Sequence, residues 1–355
     1  MKILVVANGV VKGGVSKVLS LLTQEWEKNH DVNISLFRSQ DNIPFKIGGR
    51  VVLSDIKLRG CIISQVFYLY RILKKSAFDK VIGFSEDANY PLILAARLAG
   101  VTDKVILSVH NAKAKANAKV LKRISNQYGY ASQIFAVSKG IKADLVSLGI
   151  DEEKIVVVPN PVDIIEMRSR SQEFLGIELL STNYNIVAVG RLHHHKGFDT
   201  LIYSFLDVIK NIPAAKLWII GEGPEKPALE KLIIENKLLG KVILYGYSNN
   251  PFYFLNRADV FVLSSRFEGF GLVLIEAMAV GTPVIAFNCP HGPSEIIENE
   301  VNGVLVSNQK IGELSSSIVR LYNDKELSAK LIKNGLETAL KHDVSTVSQY
   351  WLHAL

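Results

Sequence analysis

The sequence predicts an α/β protein of two Rossmann-like domains in tandem, each a doubly wound parallel sheet with helices on both faces. Three observations predict it. Short apolar runs rich in β-branched residues alternate with amphipathic stretches of helical period. The alternation blurs once, between Glu166 and Tyr184, and then restarts. A chain of 355 residues is also too long for one ordinary core and suits two domains of about 150–200 residues each.

Taken in order, the strand candidates of the first half are KILVVA (2–7), VNISLF (32–37), KVIGFS (80–85), KVILSVH (104–110), QIFAVS (133–138) and KIVVVPN (154–160). Between them SKVLSLLTQEWEKN (16–29) and YPLILAARLAG (90–100) repeat apolar residues at three- and four-residue spacing. The second half offers NIVAVG (185–190), KLWIIGEG (216–223), KVILYG (241–246), DVFVLSS (259–265) and TPVIAFN (282–288), with PEKPALEKLIIENK (224–237) as a helix. Pro159–Pro161 and the polar residues after them read as the linker, so a first domain of residues 1–165 precedes a second that starts at 166. Open parallel sheets bind ligands outside the carboxyl ends of their strands, and two such domains facing across a cleft make that cleft the expected site.

Composition removes several classes. Cys61 and Cys289 are far apart and form no CxxC or CxxH pair, so neither a disulfide framework nor a zinc site is expected, and a cytoplasmic location is. MKILVVANGVVKGG reads as a first strand and its glycine loop rather than a signal peptide, because no small-residue cleavage site follows the apolar run. No stretch reaches the roughly 18 apolar residues of a membrane span. The most hydrophobic candidate, CIISQVFYLYRILKK (61–75), is broken by Gln65 and Arg71.

Charge is uneven: residues 1–165 carry 23 Lys and Arg against 14 Asp and Glu, and residues 166–355 carry 18 against 20. A basic first half suits an anionic partner such as phospholipid head groups or a diphosphate. Nucleic acid is not expected, since AKAKANAKVLKR lacks the interleaved aromatics of a single-strand binder.

Three stretches can carry chemistry. In VVANGVVKGGVSKV a strand ends, a glycine-rich loop follows and a helix starts near Gly14, a place where backbone amides approach an anion. The spacing is not GxGxxG, and Asp55 is not placed as a ribose-binding acid, so a nicotinamide dehydrogenase is not supported. In VAVGRLHHHKGFDTLI, Arg191 and Lys196 flank three histidines at the carboxyl end of a strand and are placed to neutralise a diphosphate. Adjacent histidine side chains diverge, so no metal site is expected from them. In RFEGFGLVLIEAMAVGTPVIA, Glu268 stands at a strand end and Glu276 between one and two turns into a helix running from about Gly271 to Val280. The amides of Phe270, Gly271 and Leu272 open toward the same space. Two acids around an amide cradle fit a sugar nucleotide, with ribose and sugar hydroxyls on the carboxylates and the diphosphate between them. The competing reading makes Glu268 a helix cap and Glu276 the partner of a surface lysine.

The E-x7-E spacing of Glu268 and Glu276 within FEGFGLVLIEAMAVGTPVIA resembles the signature of the retaining glycosyltransferase family 4, which has the GT-B fold. The resemblance extends in the family's order through Gly13-Gly14, Val109-His110-Asn111, Ala136-Val137-Ser138, Val158-Pro159-Asn160-Pro161-Val162-Asp163, Gly190-Arg191-Leu192, Lys196-Gly197, Gly221-Glu222-Gly223-Pro224 and Asn302-Gly303.

The resemblance implies that Arg191 and Lys196 bind the donor diphosphate, that Glu276 holds the ribose, and that Glu268 and the Phe270–Leu272 amides meet the transferring sugar. It implies further that Gly14 closes the phosphate site, His110 lies near the sugar, and the Tyr247 backbone meets the base. A C-terminal helix of about 345–355 is implied to complete the first domain, leaving 166–344 as the nucleotide-sugar-binding domain. The stretch His291-Gly292-Pro293-Ser294-Glu295-Ile296 is similar to bacterial polysaccharide and glycolipid transferases, many of which use UDP-linked hexoses or N-acetylhexosamines.

The expected activity is therefore hexosyl or N-acetylhexosaminyl transfer from a UDP-sugar to a saccharide or lipid-diphosphate-linked acceptor. The expected place is the inner face of the cytoplasmic membrane, with the basic first domain against the lipid. No Asp-x-Asp occurs in the chain, so no cofactor and no metal are expected. A GDP-mannose-dependent mannosyltransferase of the same fold and a non-enzymatic two-domain sugar-binding protein are the alternatives.

Overall fold

A computed structural model describes residues 1–10, 13–37, 46–53, 61–111, 116–176 and 182–355. The chain divides into two units, one of Met1–Val162 with Val344–Leu355 and one of Asp163–Asp343.

In the first unit, β1 (Lys2–Ala7), β2 (Asp31–Leu36), β3 (Arg50–Leu53), β4 (Lys80–Phe84), β5 (Val105–Val109), β6 (Gln133–Ala136) and β7 (Ile155–Val157) form a parallel sheet in the order β3-β2-β1-β4-β5-β6-β7. Ile3, Val5, Val6, Ile82, Ile106 and Ile134 are wholly buried, as expected of strands covered on both faces. The chain winds outward from β1 to β3, then returns to the other side of β1 as β4. That reversal is a topological switch point, where connections leave in opposite directions and open a crevice at the carboxyl edge. The register Ala7↔Phe84 ends the two strands level, so the loops after them start side by side. Helices α1 (Gly14–Trp26) and α3 (Glu86–Ala99) begin from those loops, and α2 (Ile62–Lys75) packs on α3.

The helix Val344–His353 returns to this unit and packs on α1. Val344 N donates to Val162 O at 2.8 Å, fixing the point of return. Trp351 is wholly buried, with ring centroids 6.0 Å from Trp26, 5.9 Å from Phe84 and 5.3 Å from Phe135. Its indole N–H donates to Pro159 O at 3.0 Å, so the one polar atom of a large apolar group is satisfied.

The second unit repeats the plan. Strands β8 (Tyr184–Val189), β9 (Ala215–Ile220), β10 (Val242–Gly246), β11 (Val260–Leu263), β12 (Val284–Asn288) and β13 (Val304–Ser307) pair in parallel in the order β10-β9-β8-β11-β12-β13. Its switch point lies between β8 and β11, whose register is Val187↔Phe261.

The strands β3 and β13 are absent from the candidates read in the sequence. RVVL and VLVS hold apolar runs of only three residues, too short for alternation or run length to mark them. The polar stretch taken as linker contains the helix Ile164–Ser171, which starts at Asp163, whose side chain accepts the Glu166 amide at 2.8 Å. The boundaries fall at 162/163 and 343/344, against 165/166 and 344/345 in the sequence reading.

Candidate active site

In the second unit the two loops at the switch point meet. After β8 come Gly190, exposed Arg191, and the turn His193–Lys196 that ends at Gly197. After β11 come Ser264 to Gly271, then the helix Leu272–Ala279. Three bonds stitch the loops together. Ser264 Oγ donates to Lys196 O at 2.9 Å, Arg266 N donates to His195 O at 2.8 Å, and the Arg266 guanidinium donates to His194 O at 2.6 Å. The same guanidinium grips both carboxylate oxygens of Asp199 at 2.9 and 2.7 Å. Burial works to raise the Asp199 pKa, but the Arg266 bonds and charge outweigh it and hold the carboxyl below its usual range. Gly197 has φ 62°, and a Cβ there would run into the Ser264 carbonyl oxygen, so only glycine lets the loops approach this closely.

At the centre, Lys196 Nζ lies 2.6 Å from Glu268 Oε1, and Ser265 Oγ donates to the same oxygen at 2.6 Å. The Lys196 and Glu268 side chains are 17% and 8% exposed, so the pair is mostly withdrawn from water and its charges need each other. Cys289 is buried beside it. Burial, then the Glu268 charge, push its thiol up to about 12 against the opposing pull of Lys196, which leaves it an inert packing group.

Glu268 is not a helix cap: Gly271, at φ 95°, occupies that position with no side-chain cap bond. The helix starts at Leu272, one residue later than read from sequence, and of its first-turn amides Leu274 N donates to Gly271 O at 2.9 Å. Glu276 is half-buried on its second turn, Phe270 is buried, and Tyr247 stands 44% exposed just past β10. Arg191 makes no ion pair among the described residues and keeps its guanidinium at the surface. His193 and His195 face each other at 2.8 Å between Nδ1 atoms, one donating and one accepting. No group of three or more His, Cys, Asp or Glu arranged to hold a metal occurs among the described residues.

The first unit holds the remaining candidates. Gly14 is the exposed first residue of α1 after the Gly13 cap. His110 follows β5, 5% exposed, with Nε2 bonded to Ser108 Oγ at 2.7 Å and the ring 4.6 Å from that of Phe84. Burial lowers its pKa to about 3, with Asn160 opposing, so the imidazole is neutral at physiological pH. Residues 11–12 of the glycine loop, Asp55 and residues 112–115 of the basic stretch lie outside the described residues.

The sequence reading missed Ser265, Arg266 and Asp199, which orient the Lys196–Glu268 pair. Two serines and an arginine within four residues of an acid at a strand end were the available signal.

The family model for Glycosyl transferases group 1 matches residues 171–338, and that for Glycosyltransferase Family 4 matches residues 12–166. The chain is 29% identical over 337 residues to an uncharacterized glycosyltransferase of Methanocaldococcus jannaschii, covering 82% of each chain. It is 29% identical over 279 residues to the N-acetylgalactosamine-N,N'-diacetylbacillosaminyl-diphospho-undecaprenol 4-alpha-N-acetylgalactosaminyltransferase of Campylobacter jejuni, covering 76% of this chain and 74% of that one. Among solved structures it is similar to Anabaena HepE in complex with UDP and glucose, with a TM-score of 0.84 and 20% identity over 100% of this chain and 99% of that one.

Proposed function

Since the chain belongs to glycosyltransferase family 4 and has the GT-B fold, we propose that it transfers a hexose or N-acetylhexosamine from a UDP-sugar, with retention and without a metal, in cell-surface polysaccharide or glycolipid synthesis. The observation that carries this reading is the Lys196–Glu268 pair, at 2.6 Å, held at the switch point beside an open helix N-terminus. Lys196, Arg191 and the first-turn amides meet the diphosphate, Glu268 accepts sugar hydroxyls and Glu276 those of the ribose. Tyr247 and Phe270 supply backbone at the base and sugar.

As the bond from the anomeric carbon to the diphosphate oxygen breaks, the electron pair leaves with the diphosphate. The cations and amides stabilise that charge, worth about 3 kcal/mol per lost donor in comparable sites. The acceptor oxygen bonds the anomeric carbon on the same face, and its proton passes to the departing phosphate oxygen. The similarity to a transferase named for an α-linkage and a diphospho-undecaprenol acceptor supports retention and a lipid-linked saccharide acceptor.

Hydrolysis and transfer measured across UDP-, GDP- and ADP-sugars, with and without EDTA, test the reading. UDP-hexoses or UDP-N-acetylhexosamines consumed equally in EDTA are the expected result. Preference for GDP-mannose, a requirement for manganese, or binding without turnover each overturns part of it.

The acceptor would be met at a membrane surface. No helix among the described residues is long and apolar enough to cross a bilayer. On α2, however, Ile63 and Phe67 are 79% and 60% exposed one turn apart, with Lys74 and Lys75 in its last turn. Apolar side chains beside a basic rim suit anionic lipid at the inner face. Ile63→Ser with Phe67→Ser is expected to abolish low-salt cosedimentation with phosphatidylglycerol vesicles. Undiminished cosedimentation would remove α2 from the lipid contact.

A further inference from the structure

The switch point of the first unit holds a cavity that the reading above leaves unassigned. Strands β1 and β4 end level at Ala7 and Phe84, and a cavity of about 190 Å³ lies between the loops that follow them. Ala7, Leu19 and Phe84 contribute apolar surface to it, and Asn8, Ser85 and Asp87 contribute polar groups. Among the described residues no lysine or arginine lines it. That make-up does not suit a diphosphate, which an acid on the wall repels and no side-chain cation neutralises. It suits a neutral ligand with an apolar face and hydroxyl groups at its edge, which is the chemistry of a saccharide ring. Its place, at the carboxyl ends of two strands that diverge, is where an open parallel sheet receives a ligand.

Two features of the polar side go beyond what a solvated helix start requires. Asn8 Nδ2 donates to Asp87 Oδ2 at 3.2 Å, so the loop after β1 fixes a carboxylate that the loop after β4 supplies. Ser85 joins β4 to α3 with φ 91°, a conformation an L-residue holds only when its surroundings enforce it, and such strain collects at functional turns. Asp87 is exposed, and among the described residues its other oxygen, Oδ1, takes no protein bond. An acid whose only task were to favour the start of α3 would act through its charge alone. It would need neither a fixed orientation nor a place on a cavity wall.

We propose that this cavity receives one sugar residue of the acceptor, and that Asp87, oriented by Asn8, accepts a hydrogen bond from one of its hydroxyl groups. This rests on reading the chain as a glycosyltransferase whose first unit meets the acceptor. It adds a specificity-determining residue that tells a hydroxyl at one ring position from its absence.

The test is Asp87→Asn in the full chain. Asn8 keeps the amide oxygen toward itself, so a donor nitrogen replaces the open oxygen at nearly constant size. The donors are UDP-glucose and UDP-N-acetylglucosamine, and the acceptors are p-nitrophenyl hexosides with their monodeoxy analogues. Expected is a loss of about tenfold or more in kcat/KM for the acceptor, the worth of one hydrogen bond to a charged group. One monodeoxy acceptor should cost the wild type the same factor and cost D87N nothing further. Donor hydrolysis, UDP affinity and melting temperature should hold near wild-type values.

Equal acceptor kinetics in D87N and wild type would overturn the proposal, and so would loss of donor hydrolysis along with transfer. The same penalty in both proteins for every monodeoxy acceptor would overturn the hydroxyl contact. If the wild-type protein hydrolyses no donor, the proposed function fails instead. In that case, and where no probe acceptor is turned over, saturation transfer from the p-nitrophenyl hexosides to both proteins decides the subsite independently. Weaker binding to D87N supports it, and equal or absent binding overturns it.

Discussion

Lys196→Met is expected to lower donor turnover by about 10²–10³-fold, the loss seen when one preorganised charge donor is removed from a developing oxyanion. Glu268→Gln should cost a similar factor in transfer, since it removes both the acceptor for sugar hydroxyls and the group that aims Lys196. The two single changes also destabilise the second unit. Each leaves one member of a pair only 17% and 8% exposed without its counter-charge. Breaking a fully buried pair costs about 3–5 kcal/mol, and the partial exposure of Lys196 brings the expectation to about 2–3 kcal/mol. The double variant K196M/E268Q should recover most of that stability and none of the activity, because the loss is a coupling and not a sum. Urea denaturation with donor hydrolysis on all four proteins checks it. Single variants as stable as wild type would show that the pair is held apart by solvent.

Trp351→Ala should cost about 3–5 kcal/mol, the range for removing a large aromatic from a packed core. The indole fills the space among Trp26, Phe84 and Phe135, and its loss also strands the Pro159 carbonyl. The effect should fall on one unit alone. A two-step denaturation curve is expected in which the step belonging to residues 1–162 moves and the step belonging to 163–343 does not. Equal movement of both would mean that the units unfold together.

The parallel sheets were legible because runs such as KILVVA and NIVAVG are buried on both faces, and only unbroken apolar strands survive there. RVVL and VLVS were not, since their apolar runs are only three residues long and carry no period. The helix Ile164–Ser171 was hidden for another reason: MRSRS is polar, and its helical state depends on a cap and on neighbours the sequence does not display. At the site, residue types and strand ends located Arg191, Lys196, Glu268 and Glu276. What could not be read was that Lys196 and Glu268 touch, although 72 positions separate them. That follows from β8 and β11 being adjacent, a fact of sheet order that no local pattern encodes.

The return of the last helix to the first unit has a consequence for how the protein is made. Residues 163–343 are contiguous and can close their core as soon as they leave the ribosome. The first unit is synthesised earlier and yet must wait, because Trp26, Phe84 and Phe135 have no Trp351 to pack against until residues 163–343 have been made. The half made first is therefore finished last, and an exposed aromatic surface persists on the nascent chain for the whole synthesis of the half made second.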